Sequence, residues 1–122
     1  VNPPPSPLPS QPQPNPPRAE VLGDPKLLLN LSASQLHGLW LEVQAEIRSA
    51  QLEVGLLTAR VHRDKLLAWN KSMEQSVSGR DRDASLYVLD MENGLTEAKT
   101  QLLALESERA MYEFVLDRKV WA

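Results

Sequence analysis

The chain has 122 residues, with 13 Lys and Arg against 16 Asp and Glu and a formal net charge of -3. That balance offers no basic footprint for a nucleic-acid backbone. It contains no cysteine, which excludes disulfides and thiolate metal sites. No apolar run approaches the roughly 18 residues of a membrane span, and the N-terminus lacks the basic start and apolar run of a signal peptide. These absences point to an intracellular protein, cytoplasmic or nuclear. The chain opens at Val1 without a methionine, and its apolar pattern is still running at the far end, so it reads as a piece of a longer protein.

In chain order, three parts are expected: a proline-rich disordered segment over 1–20, a linker or short helix over 21–31, and a helical hairpin over 32–122. Nine of the ten prolines fall in the first 17 residues. Proline removes a backbone donor and biases its predecessor away from helix, so polyproline II or disorder is expected there. Residues 3–17 supply PxxP spacings, the minimum for an SH3- or WW-type ligand. No flanking base sits where such a ligand wants one, however, and a linker is the favoured reading. Gly23-Asp24-Pro25 is turn chemistry, although Pro25 could instead open a short helix capped by Asp24. Leu27, Leu28, Leu29 and Leu31 then fold against the hairpin's open end or serve as a docking motif, the first reading being favoured.

Ser32, with Gln35 three residues on, is a capping box, and Leu31 with Leu36 is a hydrophobic staple. Helix one is predicted over 33–77. Its seam steps by fours and threes through Trp40, Val43, Ile47, Val54, Leu57 and Val61. Ser78 and Gly79 should stop it, glycine tolerating the left-handed closing conformation, with the turn at 78–81. Asp81 and Asp83 then favour the first turn of helix two, predicted over 82–121, with Asp81 also a candidate N-cap. Its seam continues through Met91, Leu95, Leu102, Leu105, Tyr112 and Leu116. The fold class is all-α: an antiparallel two-helix coiled-coil hairpin, assembling into a four-helix or larger bundle. One continuous helix through Gly79, forming a parallel dimer, is the alternative.

A turn centred between Gly79 and Arg80 makes facing residue numbers sum to 159. Leu57 then meets Leu102, Ile47 meets Tyr112, and Trp40 meets Lys119, whose stem and ammonium would lie on the indole. Arg109, a polar interruption, would face Ala50 and reach Glu53, Glu106 or Glu113. Glu106 and Glu108 read as a solvated face.

A second apolar set lies away from the seam: Leu41, Leu52, Leu56, Leu66, Trp69, Met73 and Val77 on helix one, and Met111, Phe114 and Trp121 on helix two. A helix with two apolar faces is normally covered twice, so a protein partner is expected there, another copy or a foreign helix. His37 and His62 lack companions at ligand spacing. The glycines at 38, 55, 79 and 94 are isolated and form no phosphate loop. Asn30-Leu31-Ser32 and Asn70-Lys71-Ser72 match the glycosylation tripeptide only by chance. No catalytic residue, cofactor or metal site is assigned, and the function expected is a non-enzymatic structural or assembly module. The alternative is an adaptor whose proline segment is the ligand and whose hairpin multimerises it.

Overall fold

A computed structural model describes residues 16–121, with side chains to 119. The proline-rich segment, and with it most of the ligand reading at 3–17, lies outside the described residues, as does the Trp121 side chain. The described residues are all-α, with no strand. The helices run α1 (Arg18–Gly23), α2 (Leu27–Asn30), α3 (Ala33–Lys71), α4 (Val77–Tyr87) and α5 (Leu89–Trp121).

Helix α1 crosses the expected boundary at residue 20. It begins directly after Pro17, whose extended backbone (φ -58°, ψ 133°) stands at the N-cap. Asp24 Oδ1 accepts the Lys26 N–H at 3.2 Å and closes a turn over Pro25, so Pro25 does not open α2. At Ser32 the capping box is formed from both sides. The Gln35 N–H donates to Ser32 Oγ at 3.1 Å, and the Ser32 N–H donates to Gln35 Oε1 at 3.0 Å. Two of the donors that a first turn leaves unpaired are thereby satisfied.

Helix α3 ends at Lys71, six residues before the expected stop, and the chain does not continue as one helix through Gly79. The connection is Ser72–Ser76, and three serine contacts define it. Ser72 Oγ donates to Asp83 Oδ2 at 2.7 Å and accepts the Glu74 N–H at 3.2 Å, and Ser76 Oγ accepts the Gly79 N–H at 3.0 Å as the N-cap of α4. Asp81 is therefore not a cap, and neither Asp81 nor Asp83 lies in a first turn. Gly79 is helical, and no glycine among the described residues has positive φ. Its role is close approach: a Cβ there would stand 2.9 Å from Ser76 Oγ and 3.0 Å from Glu74 Cβ. Helix two is also not one piece. It breaks at Val88 (φ -99°, ψ 7°), a fully buried residue with no proline or glycine beside it.

Because the turn sits earlier than expected, the register between α3 and α5 shifts. Trp40 Nε1 donates to Glu113 Oε1 at 3.0 Å, and Arg109 Nη1 donates to Gln44 Oε1 at 2.8 Å. Both pairs of numbers sum to 153 rather than 159. Trp40 therefore does not meet Lys119; its ring stacks on His37 at 6.0 Å, while Lys119 Nζ donates to the Leu29 carbonyl at 3.1 Å. Arg109 reaches Gln44, with Glu113 at 3.7 Å, instead of facing Ala50.

The main core lies where α1 and α2 lean on α3 and α5. Val21, Leu28, Leu36, Leu39, Val43, Ile47, Tyr112 and Val115 form one buried cluster, with Leu31 packed against it. Of the leucine run, Leu28 and Leu31 thus fold back on the helices and Leu29 stays exposed.

Candidate interaction surfaces

Along the expected seam, Val43, Ile47, Val61 and Tyr112 are buried. Trp40, Val54, Leu57, Met91, Leu95, Leu102, Leu105 and Leu116 are half-buried. The outer set divides. Leu41, Leu52, Leu56, Leu66, Met73, Val77 and Phe114 are exposed, Leu52 and Leu56 to 65% and 64%. Trp69 and Met111 are half-buried. The Arg80 guanidinium lies over the Trp69 ring at 4.9 Å, and Met111 packs on the core cluster. Val77 opens α4 rather than closing the long helix. Arg118 covers one side of the Phe114 ring at 4.2 Å.

The exposed residues of α3 share one face. Leu52, Leu56, Ala59 and Leu66 follow steps of four, three and seven, which an α-helix stacks into a stripe. Burying a leucine is worth about 1.5–3 kcal/mol, so three of them in a row leave a substantial free energy unrealised while the stripe is bare.

Sequence reasoning missed a polar clasp between α1 and the long helices. Arg18 donates through Nε to Glu108 Oε2 at 2.6 Å and through Nη2 to Glu108 Oε1 at 2.7 Å, the bidentate fork that suits guanidinium and carboxylate. Its Nη1 reaches Glu46 on α3. From the other side, the Tyr112 hydroxyl donates to Glu108 Oε2 at 2.6 Å. Glu108 is only 5% exposed, so it is no part of a solvated face. Burial pushes its carboxyl upward, but the hydrogen bonds from Arg18 and Tyr112, with the guanidinium charge, more than offset this and hold it below the usual carboxylate range. The hydrogen bond to Glu108 holds the Arg18 guanidinium above its ordinary value. Burial, followed by the hydrogen bond to Glu108, pushes the Tyr112 hydroxyl up. One signal for the clasp was present: Glu108 and Tyr112 stand four apart on one helix, where side chains meet.

Two open grooves flank this clasp. One, of about 610 Å³, lies between α2 and α5, with Leu28 and Leu29 across from Ala110, Met111 and Phe114. The other, of about 650 Å³, lies between α1 and α5, with Leu22 across from Ala104 and Met111. They share Ser107 and Met111, and the second also borders α3 through Glu46. Among the described residues, no group of three acidic or histidine side chains is placed to hold a metal ion, and no helix is long and apolar enough to cross a membrane. No protein-family model, no curated protein and no solved structure matches the chain.

Proposed function

We propose that this chain is a non-enzymatic assembly module. In this reading α3 and the α4–α5 arm form an antiparallel coiled-coil hairpin, which associates through the outer stripe of α3 into a four-helix or larger bundle. Its task is to hold proteins together, with the proline-rich segment as a spacer. The observation that carries the reading is the exposure of Leu52, Leu56 and Leu66, at 65%, 64% and 53%, in one row on a helix whose other side is already covered. Apolar surface of this kind on an elongated helix is the usual mark of a protein contact.

The test is light scattering on the unmodified chain and on a Leu52→Glu, Leu66→Glu double variant, with circular dichroism as a control. The reading expects association in the unmodified chain, and a fall to single-chain mass at unchanged helicity in the variant. A variant that associates as strongly as its parent would remove the stripe from the reading. A parent that stays a single chain at high concentration would remove self-assembly.

A further inference from the structure

We infer that α1 and α2 form a detachable strap, an internal ligand that occupies a site built between α3 and α5 and leaves it as one unit when the Arg18 clasp opens. The inference is independent of the outer stripe of α3. Six and four residues are too few for a helix that is stable alone, so each of the two is helical only while docked. Three points hold them down. Val21 and Leu28 are the buried side chains of the strap, at 0% and 3% exposure, and Arg18 forks onto Glu108. A fourth contact, Lys119 Nζ donating to the Leu29 carbonyl, is exposed and adds little. Leu22 and Leu29, beside the two buried side chains, stay exposed, and the two open grooves run along the border of the strap with α5. The strap thus spans its seat without filling it.

The seat itself does not depend on the strap. The first turn of α3 is closed by Ser32 and Gln35 alone, so its two capped donors keep their partners when the strap leaves. Leu31 and Ser32 are extended, with ψ of 146° and 160°, and form the joint on which the strap swings. The walls of the seat are Leu36, Leu39, Val43 and Ile47, in steps of three and four down one face of α3, with Tyr112 and Val115 on α5. At one end Glu46 and Glu108 stand on the two helices, both reached by Arg18. The Tyr112 hydroxyl holds Glu108 in place without help from the strap. Release of the strap admits water to both partners of the clasp, so neither charge is left buried and unpaired. What the site recognises is read from what it holds: a short helix with an arginine and, three residues on, an aliphatic side chain, as in Arg18 and Val21. Paired carboxylates take the guanidinium, and the apolar wall takes the aliphatic side chain.

Hydrogen exchange followed by NMR, and a peptide added in trans, test this on the full chain. In the parent, the bonded amides of the strap, such as Asp24, Leu28 and Leu29, should exchange at one common opening free energy, lower than that of 36–47. Arg18→Glu turns the clasp into three carboxylates and should hold the strap off. Those amides should then quicken together, on the order of a hundredfold from the usual cost of breaking a buried pair, while 36–47 stay protected. The emptied seat should capture a fluorescent peptide of residues 16–31 with native Arg18. The parent, whose own strap fills the seat, should not, and the same peptide carrying Arg18→Glu should bind neither chain. If circular dichroism shows that Arg18→Glu unfolds the chain, Arg18→Ala takes its place in both measurements. Strap amides that do not quicken overturn the inference. So does quickening of 36–47 by the same factor, or unfolding of both variants, since the strap would then belong to the main cooperative unit. A peptide that the emptied chain fails to bind, or that the parent binds equally well, overturns the site. None of these outcomes bears on association through the α3 stripe.

Discussion

Arg18 ties three helices together from the first position of α1. Its fork on Glu108 and its contact with Glu46 attach α1 to α5 and α3 at once. Truncating one partner of a buried pair leaves the other charge uncompensated, so Arg18→Ala should cost about 3 kcal/mol, read as a lower urea midpoint. The same pair should make stability depend on acid. A carboxyl held below its unfolded value favours the folded state while it is ionised in both. As pH falls through the ordinary glutamate value near about 4.3, the unfolded chain takes up the proton first, and below the folded-state value the advantage is gone. Glu108→Gln should therefore be less stable than its parent at pH 7, with the gap narrowing as pH falls below that value. A gap that stays constant down to pH 3 would show that Glu108 does not carry the effect. Gly79 supplies a second contrast at this scale. Alanine normally gains about 1 kcal/mol over glycine within a helix, and nothing lies within 4 Å of a Cβ built at Gly55 or Gly94. At Gly79 the new methyl would meet Ser76 Oγ and Glu74 Cβ, on a loop pinned by Ser72 and by Arg80 Nε donating to the Glu74 carbonyl at 2.9 Å. Gly55→Ala and Gly94→Ala should raise the melting temperature and Gly79→Ala should lower it. A rise at all three would mean the loop gives way freely.

At the scale of elements, what could be read from sequence follows from what each signal reports. The box of Ser32 and Gln35 is local chemistry, complete within four residues, and so it was legible. Ser32→Ala removes one half of it and should cost about 0.5–2 kcal/mol, measurable by chemical denaturation; no change would mean water replaces the cap fully. The stop after Lys71 was not legible. Ser72–Ser76 contains neither glycine nor proline, and the contacts that end α3 depend on Asp83, which lies on the next helix. Ser78-Gly79 carried the stronger local signal, yet Gly79 serves there as a place for close approach. That misplacement also shifted the register. Apolar spacing of three and four tells which residues share a face of a helix, but it leaves the axial offset to the turn. Helix α1 was hidden for a different reason. Six residues are too few to show a period and too short to be stable alone; Val21 and Arg18 hold it by packing on residues far along the chain. The same distance hid the partner of Glu108.

Across the whole molecule, burial is uneven, and this sets where the fold should open first. The large cluster lies at one end, between Leu36 and Ile47 on α3 and at Tyr112 and Val115 on α5, reinforced by Val21 and Leu28. Val61, Ala84, Val88 and Ala98 are the buried apolar residues toward the turn. Between these lies a waist. From Arg48 to Arg60 no residue of α3 is buried, and from Lys99 to Ser107 none of α5 is, with Val54, Leu57, Leu102 and Leu105 only half covered. Helical segments with few buried contacts open locally at low free energy, and their amides exchange by that route. In dilute solution the amides of 50–57 and 99–106 should therefore exchange much faster than those of 36–47, although all lie within continuous helix. The α3 stripe begins at Leu52, so the association proposed through it would cover the waist on that side. Raising the protein concentration should slow exchange there while leaving 36–47 unchanged. Waist amides as protected as those of 36–47 at the lowest concentration would show that the half-covered seam is sufficient by itself. Waist amides that stay fast at every concentration would show that the contact between copies lies elsewhere.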